Sequence, residues 1–188
     1  MDSPEQIGPA TSRATRLRKW ARPAAIGLIA LALNVVFFYL PIDYRSFGNY
    51  AYLGVFLVTL IANATTIVPV PYMPVVARIA AQSDNLALVI VAGALGSAIG
   101  ESVAFFVGRS GRALIEDTRF YRWVDRQLRH PWRAFAVLFG LAAPPNPAFD
   151  VAGLAAGALG LPFWLFFTAA FLGRIIRMGL IVLIGMQL

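Results

Sequence analysis

The sequence predicts an all-α membrane protein, with polytopic transmembrane helices and two opposed re-entrant, broken-helix hairpins that form an inverted repeat. Three observations predict it. Of 188 residues, 59% are hydrophobic, and the charges gather in short segments separated by long uncharged runs. Basic residues precede the first apolar run and recur between Arg109 and Arg133, which sets two cytoplasmic points by the positive-inside rule. Proline clusters interrupt two of the apolar runs at corresponding places.

Residues 1–22 read as a disordered basic cytoplasmic tail that ends in Arg13, Arg16, Arg18, Lys19 and Arg22. Residues 23–188 are expected to form one membrane domain. Its first element is a transmembrane helix over 24–40, "AAIGLIALALNVVFFYL"; no small-x-small cleavage site follows it, so it reads as retained rather than as a signal peptide. The loop "PIDYRSFGN" then lies outside.

Residues 86–108 are long enough to cross back to the cytoplasmic Arg109. The run 51–81 then starts and finishes outside, so it is expected to be a re-entrant hairpin broken at Pro69, Pro71 and Pro74 in "VPVPYMP". Broken backbone survives at membrane depth only when it is buried in protein or lines a wet cavity.

Residues 110–132 are expected to form an amphipathic cytoplasmic helix. Arg119, Arg122, Arg126, Arg129 and Arg133 recur at spacings of three and four, opposite Leu114, Tyr121, Val124, Leu128 and Trp132. Arg119, Arg122, Arg126 and Arg129 would contact lipid head groups; a topology anchor is the simpler role.

A second re-entrant hairpin is expected over 134–160, entering from the opposite side and broken at Pro145 and Pro147, before a last crossing over 162–188. A gapless offset places Pro69 on Pro145, Pro71 on Pro147 and Glu101 on Arg177. Two such units of opposite orientation characterise transporters whose site lies where the broken helices meet.

The candidate substrate path follows from the charged and amide groups in these runs: Glu101, Asn146, Asp150, Arg174 and Arg177. An ionised group at the bilayer centre costs about 2.5 to 3.5 kcal/mol unless paired or wetted. Glu101 could line a path or lock two helices by pairing with Arg174 or Arg177. Asp150 could serve the path, cap the half-helix after the break, or both. Gly93, Gly96, Gly100, Gly153 and Gly157 are expected to let helices approach closely.

Composition excludes other chemistries. There is no cysteine and His130 is the single histidine, so no metal site, cofactor or nucleophilic catalysis is expected and the protein is read as a non-enzyme. The net charge of +7 reads as membrane topology, and nucleic acid is not an expected partner.

"PPNPAFDVAGLAAGALGLPFWLFFTAAFLGRIIRM", together with "GALGSAIGESVAFFVGR" and "VPVPYMP", resembles the VTT (DedA) superfamily, most closely its vacuole membrane protein branch. The resemblance implies two opposed re-entrant loops and work on lipid. It singles out Pro69, Pro71, Glu101, Asn146, Pro147, Phe149, Asp150 and Gly153. The expected function is phospholipid movement between leaflets without nucleotide hydrolysis; the alternative is proton- or ion-coupled transport of undecaprenyl phosphate or another solute. Membrane phospholipids or undecaprenyl phosphate are the expected partners, the expected location is the inner (cytoplasmic) membrane with the N-terminus inside, and a homo-oligomer is left open.

Overall fold

The computed structural model describes residues 28, 32–36, 39, 40, 42–65, 70–111, 119–144 and 148–187. The tail 1–22, most of 24–40, Pro69, Pro145, Asn146 and Pro147 lie outside them; within the expected first span, 32–36 are helical. Among the described residues the fold is wholly helical, with no strand. A 3-10 turn, Tyr44–Phe47, precedes α1 (Tyr50–Ala64), α2 (Tyr72–Gln82), α3 (Leu86–Ser110), α4 (Arg119–Leu128), α5 (Pro131–Ala142), α6 (Ala148–Ala158) and α7 (Phe163–Gly185).

Helix ends follow local chemistry. Asn85 caps α3 by accepting the Leu88 N–H at 3.0 Å. Pro131 opens α5 in its first turn, where a missing N–H costs nothing. Gly160, at φ 71°, closes the turn after α6, a conformation glycine adopts without a Cβ clash.

Among the described residues, helices α3 and α7 are the two that are long and apolar enough to cross a membrane. They run antiparallel: Phe105 of α3 stacks on Phe166 near the start of α7 at 4.9 Å between ring centroids, Glu101 pairs with Arg174, and Gly93 faces Met178. Each presents an apolar stripe outward. Leu95, Ile99, Val103 and Phe106 are exposed on α3, and Leu172, Ile176, Leu180 and Leu183 on α7, whereas Glu101, Arg174 and Arg177 are buried. Charge inside and apolar surface outside is the arrangement suited to a hydrocarbon solvent.

Two helical hairpins flank this pair. α1 runs alongside α3, with Gly93 against Val55, Gly96 against the Phe56 carbonyl and Gly100 against the Leu60 carbonyl. α2 returns to the starting end, where Ser83 Oγ donates to the Tyr52 hydroxyl at 3.0 Å and the Tyr44 N–H donates to Gln82 Oε1 at 2.7 Å. The end of α1, at Asn63 and Ala64, therefore lies level with Gly100, midway along α3.

α5 runs alongside α7, with Phe139 and Ala142 against Gly173, and α6 returns along α3, with Gly157 against the Phe105 carbonyl. Arg109 Nη1 closes the base by donating to the Leu161 carbonyl at 3.4 Å. The first arm of each hairpin packs on the long helix of its own half, and the second arm packs mainly on the other: α2 on α7 and α6 on α3.

Three details differ from the sequence-based expectation. Pro74 is not part of a break; it is buried in the first turn of α2, where helix N–H groups lack intrahelical acceptors and proline is tolerated. The expected amphipathic helix over 110–132 is not one described element, because α3 continues to Ser110, a turn at Arg129–His130 ends α4, and Pro131 starts α5. Asp150 is not the cap of α6, since the helix begins at Ala148 and Asp150 occupies its first turn, where a carboxylate still faces the positive end of the helix dipole.

Candidate functional site: a charged cluster between the hairpin turns

The buried charges lie near described helix ends: Gly100, next to Glu101, meets Ala64 at the end of α1, and Gly173, next to Arg174, meets Ala142 at the end of α5. Glu101 sits midway along α3 and forms an ion pair with Arg174 of α7; each is 2% exposed. Small residues flank both in sequence: Ala98 and Gly100 are buried beside Glu101, and Gly173 beside Arg174. The Arg174 guanidinium also lies over the Phe149 ring, 5.1 Å from its centroid, within cation–π range. One arginine therefore ties α3, α6 and α7 together.

Arg177 lies three residues further along α7, on the same face. It is 7% exposed and sits in the electrostatic field of the Tyr72 hydroxyl and the Asp150 carboxylate. Tyr72 is the first residue of α2 and Asp150 belongs to the first turn of α6. Tyr72 at the start of α2 and Asp150 in the first turn of α6 are thus within electrostatic reach of this guanidinium.

The pairing is incomplete. Arg174 Nε and Nη1, Arg177 Nε and the Ser97 hydroxyl are buried without a hydrogen-bond partner among the described residues. Unsatisfied donors of this kind carry a desolvation cost and are disposed to bind oxygen acceptors such as phosphate. Thr59 and Asn63 turn their side chains back onto α1, with Thr59 Oγ1 donating to the Val55 carbonyl at 2.8 Å and Asn63 Nδ2 to the Thr59 carbonyl at 2.6 Å.

Glu101, Asp150, Arg174 and Arg177 are thus brought together, while Asn146, with Pro145 and Pro147, lies outside the described residues, as does Pro69. Pro71 stands immediately before α2, at φ −78° and ψ 67°. A Cβ at Gly96, Gly100 or Gly157 would overlap neighbouring backbone, one at Gly93 would press on Met178 Sδ at 3.0 Å, and one at Gly153 would make an ordinary 3.5 Å contact with Phe166. The side chains of Arg122, Arg126 and Arg129 are exposed, apart from the cluster, and that of Arg119 lies outside the description. Sequence reasoning missed Tyr72; the available signal was a hydroxyl directly after a Pro-x-Pro break.

A second polar region lies at the start of α3, near the 3-10 turn. There burial raises the pKa of the Tyr44 phenol above its usual range, and the nearby Arg78 charge opposes the rise.

A helical chain that buries its charges in mid-bundle and turns apolar stripes outward is an integral membrane protein. The VTT domain family matches residues 68–187, and the chain belongs to that family. It is 35% identical over 104 residues to vacuole membrane protein KMS1 of Arabidopsis thaliana, covering 44% of this chain and 24% of that protein. It is 30% identical over 103 residues to vacuole membrane protein 1 of Homo sapiens, covering 44% and 25%. The matched segments span about a quarter of the length of these relatives. No solved structure matches.

Proposed function

We propose that this protein moves phospholipids between the leaflets of its membrane without nucleotide hydrolysis and without a covalent step. The observation that carries the proposal is the pair of buried arginines on one face of α7, Arg174 bound to Glu101 and lying over Phe149, and Arg177 one turn away, each with a guanidinium nitrogen left without a hydrogen-bond partner among the described residues. In this reading both hairpins are re-entrant, enter from opposite faces and are related as an inverted repeat. The closure of each hairpin at its own end of α3 and the exchange of their second arms support it.

A head group with its phosphate travels past Arg177 while its acyl chains stay in lipid. Arg177 offers charge-assisted hydrogen bonds, Tyr72 and Asp150 balance it, and Glu101 keeps Arg174 from holding the phosphate too tightly. The distribution of basic residues favours an N-terminus on the cytoplasmic side of the membrane; the named relatives are vacuole membrane proteins.

The test is reconstitution of the full chain into liposomes that carry a leaflet-specific fluorescent lipid. Accelerated loss of leaflet protection without nucleotide or proton gradient is expected. Vesicles that match protein-free controls would overturn the proposal, and exchange that appears only with a gradient would favour coupled transport.

A further inference from the structure

At the open end of the first hairpin, away from the charged cluster, lies a cavity of about 230 Å³. Its lining includes Tyr44, Arg45, Asn49, Tyr52, Gln82 and Asp84. The walls are fixed by hydrogen bonds between distant segments. Gln82 accepts from the Tyr44 N–H at 2.7 Å and donates to the Ile42 carbonyl at 3.3 Å, Ser83 donates to the Tyr52 hydroxyl at 3.0 Å, and the Arg45 N–H donates to Asp43 Oδ1 at 3.1 Å. Both arms of the hairpin and the 3-10 turn thus hold one polar chamber.

The location and the chemistry of the lining point to one class of ligand. Tyr39, Phe47 and Tyr50 are exposed around this end, at 77%, 52% and 78%, and exposed aromatic rings mark the head-group level of a membrane protein. Arg45 and Asp84 bring one charge of each sign to the same cavity. A plain anion would meet the Asp84 carboxylate and a plain cation would meet Arg45, so neither suits the lining as well as a group carrying both charges. The Tyr44 and Tyr52 rings add faces of the kind that attract ammonium groups. The volume lies below the roughly 300 to 1,000 Å³ of sites for drug-sized molecules, which fits a head group and leaves no room for a whole lipid.

We propose that this cavity binds the zwitterionic head group of a phospholipid, with the phosphate toward Arg45 and the ammonium toward Asp84. It is a docking point at the membrane surface, separate from the mid-bundle cluster. The inference rests on lipid movement as the function only in taking a lipid as the natural source of the head group.

The test uses the full chain in detergent, titrated with glycerophosphoethanolamine, with inorganic phosphate and with tetramethylammonium, and read by saturation-transfer NMR. Arg45 and Asp84 are exposed, so Arg45→Gln and Asp84→Asn should unfold at the wild-type temperature. Each is expected to weaken glycerophosphoethanolamine about tenfold, with neither single-charge compound binding as tightly as the zwitterion. In lipid nanodiscs the same substitutions should abolish enrichment of zwitterionic over anionic phospholipid, which ties the site to lipid rather than to the free compound. Equal affinity in wild type and both variants, or phosphate binding as tightly as the zwitterion, would overturn the proposal. Leaflet exchange on the same preparations separates the two ideas: head-group binding without exchange removes lipid movement and keeps the cavity, and exchange with binding insensitive to both substitutions does the reverse.

Discussion

Glu101 and Arg174 form an ion pair in which each residue is 2% exposed, and the Arg174 guanidinium rests over Phe149. A charge pair so enclosed is costly to break, because removal of one partner strands the other away from water, at about 3 to 5 kcal/mol.

Glu101→Leu and Arg174→Met should therefore each lower the thermal unfolding temperature in detergent strongly. The double substitution Glu101→Leu with Arg174→Met removes both charges together and should recover much of the loss. Differential scanning fluorimetry on the four proteins checks this; a double variant as unstable as the sum of the singles would show that the pair is not coupled.

Arg177 and Asp150 are expected to behave differently. Asp150 is half-buried and among the described residues no short ion pair fixes it, so Asp150→Asn should fold normally while slowing leaflet exchange by about tenfold, equivalent to roughly 1.4 kcal/mol of barrier. Arg177→Gln should slow exchange at least as much. Exchange at the wild-type rate in both, with protein levels matched, would remove these residues from the path.

The glycines give a packing test. Gly157→Ala would drive a methyl group into the Phe105 carbonyl, whereas at Gly140 and Gly179 an added Cβ meets nothing within 4 Å. Overpacking costs about 1 to 3 kcal/mol, while relief of glycine flexibility in a helix gains about 0.5 to 1 kcal/mol. Unfolding temperature should fall for Gly157→Ala and hold or rise for Gly140→Ala and Gly179→Ala.

Re-entrant topology predicts opposite accessibility for two exposed loops. The chain has no cysteine, so Asp84→Cys and Pro162→Cys each supply a single thiol. Membrane-impermeant maleimide on intact cells should label the former, and label the latter only after permeabilisation. Labelling of both from one side would exclude opposed hairpins.

Much of this architecture was legible in the sequence. Proline clusters marked the two stretches where one described helix ends and the next begins, Ala64 to Tyr72 and Ala142 to Ala148, because proline removes a backbone donor wherever it falls. The partner of Glu101 was not legible. Arg174 and Arg177 share one helical face at i and i+3, and only the crossing of α3 over α7 selects between them. Pro74 misled for a related reason: proline forbids helix interiors but not first turns, and the sequence does not say which turn it occupies. Tyr72 stayed hidden because its importance comes from Arg177 on a helix far along the chain. The end of α4 at Arg129–His130 was masked by an arginine spacing that continues through Arg133 although the helix does not.

The crossing of hairpin arms also affects biogenesis. Ala77 of α2 rests against Gly185 of α7, so α2 leaves the ribosome on the order of a hundred residues before its support exists, about 5 to 20 s at ordinary rates of synthesis. During that interval α2 lacks the helix that covers one of its flanks, and another surface has to shield it. Quality control has a defined target in this period: a nascent chain stalled before α7 presents an unsupported half of the molecule.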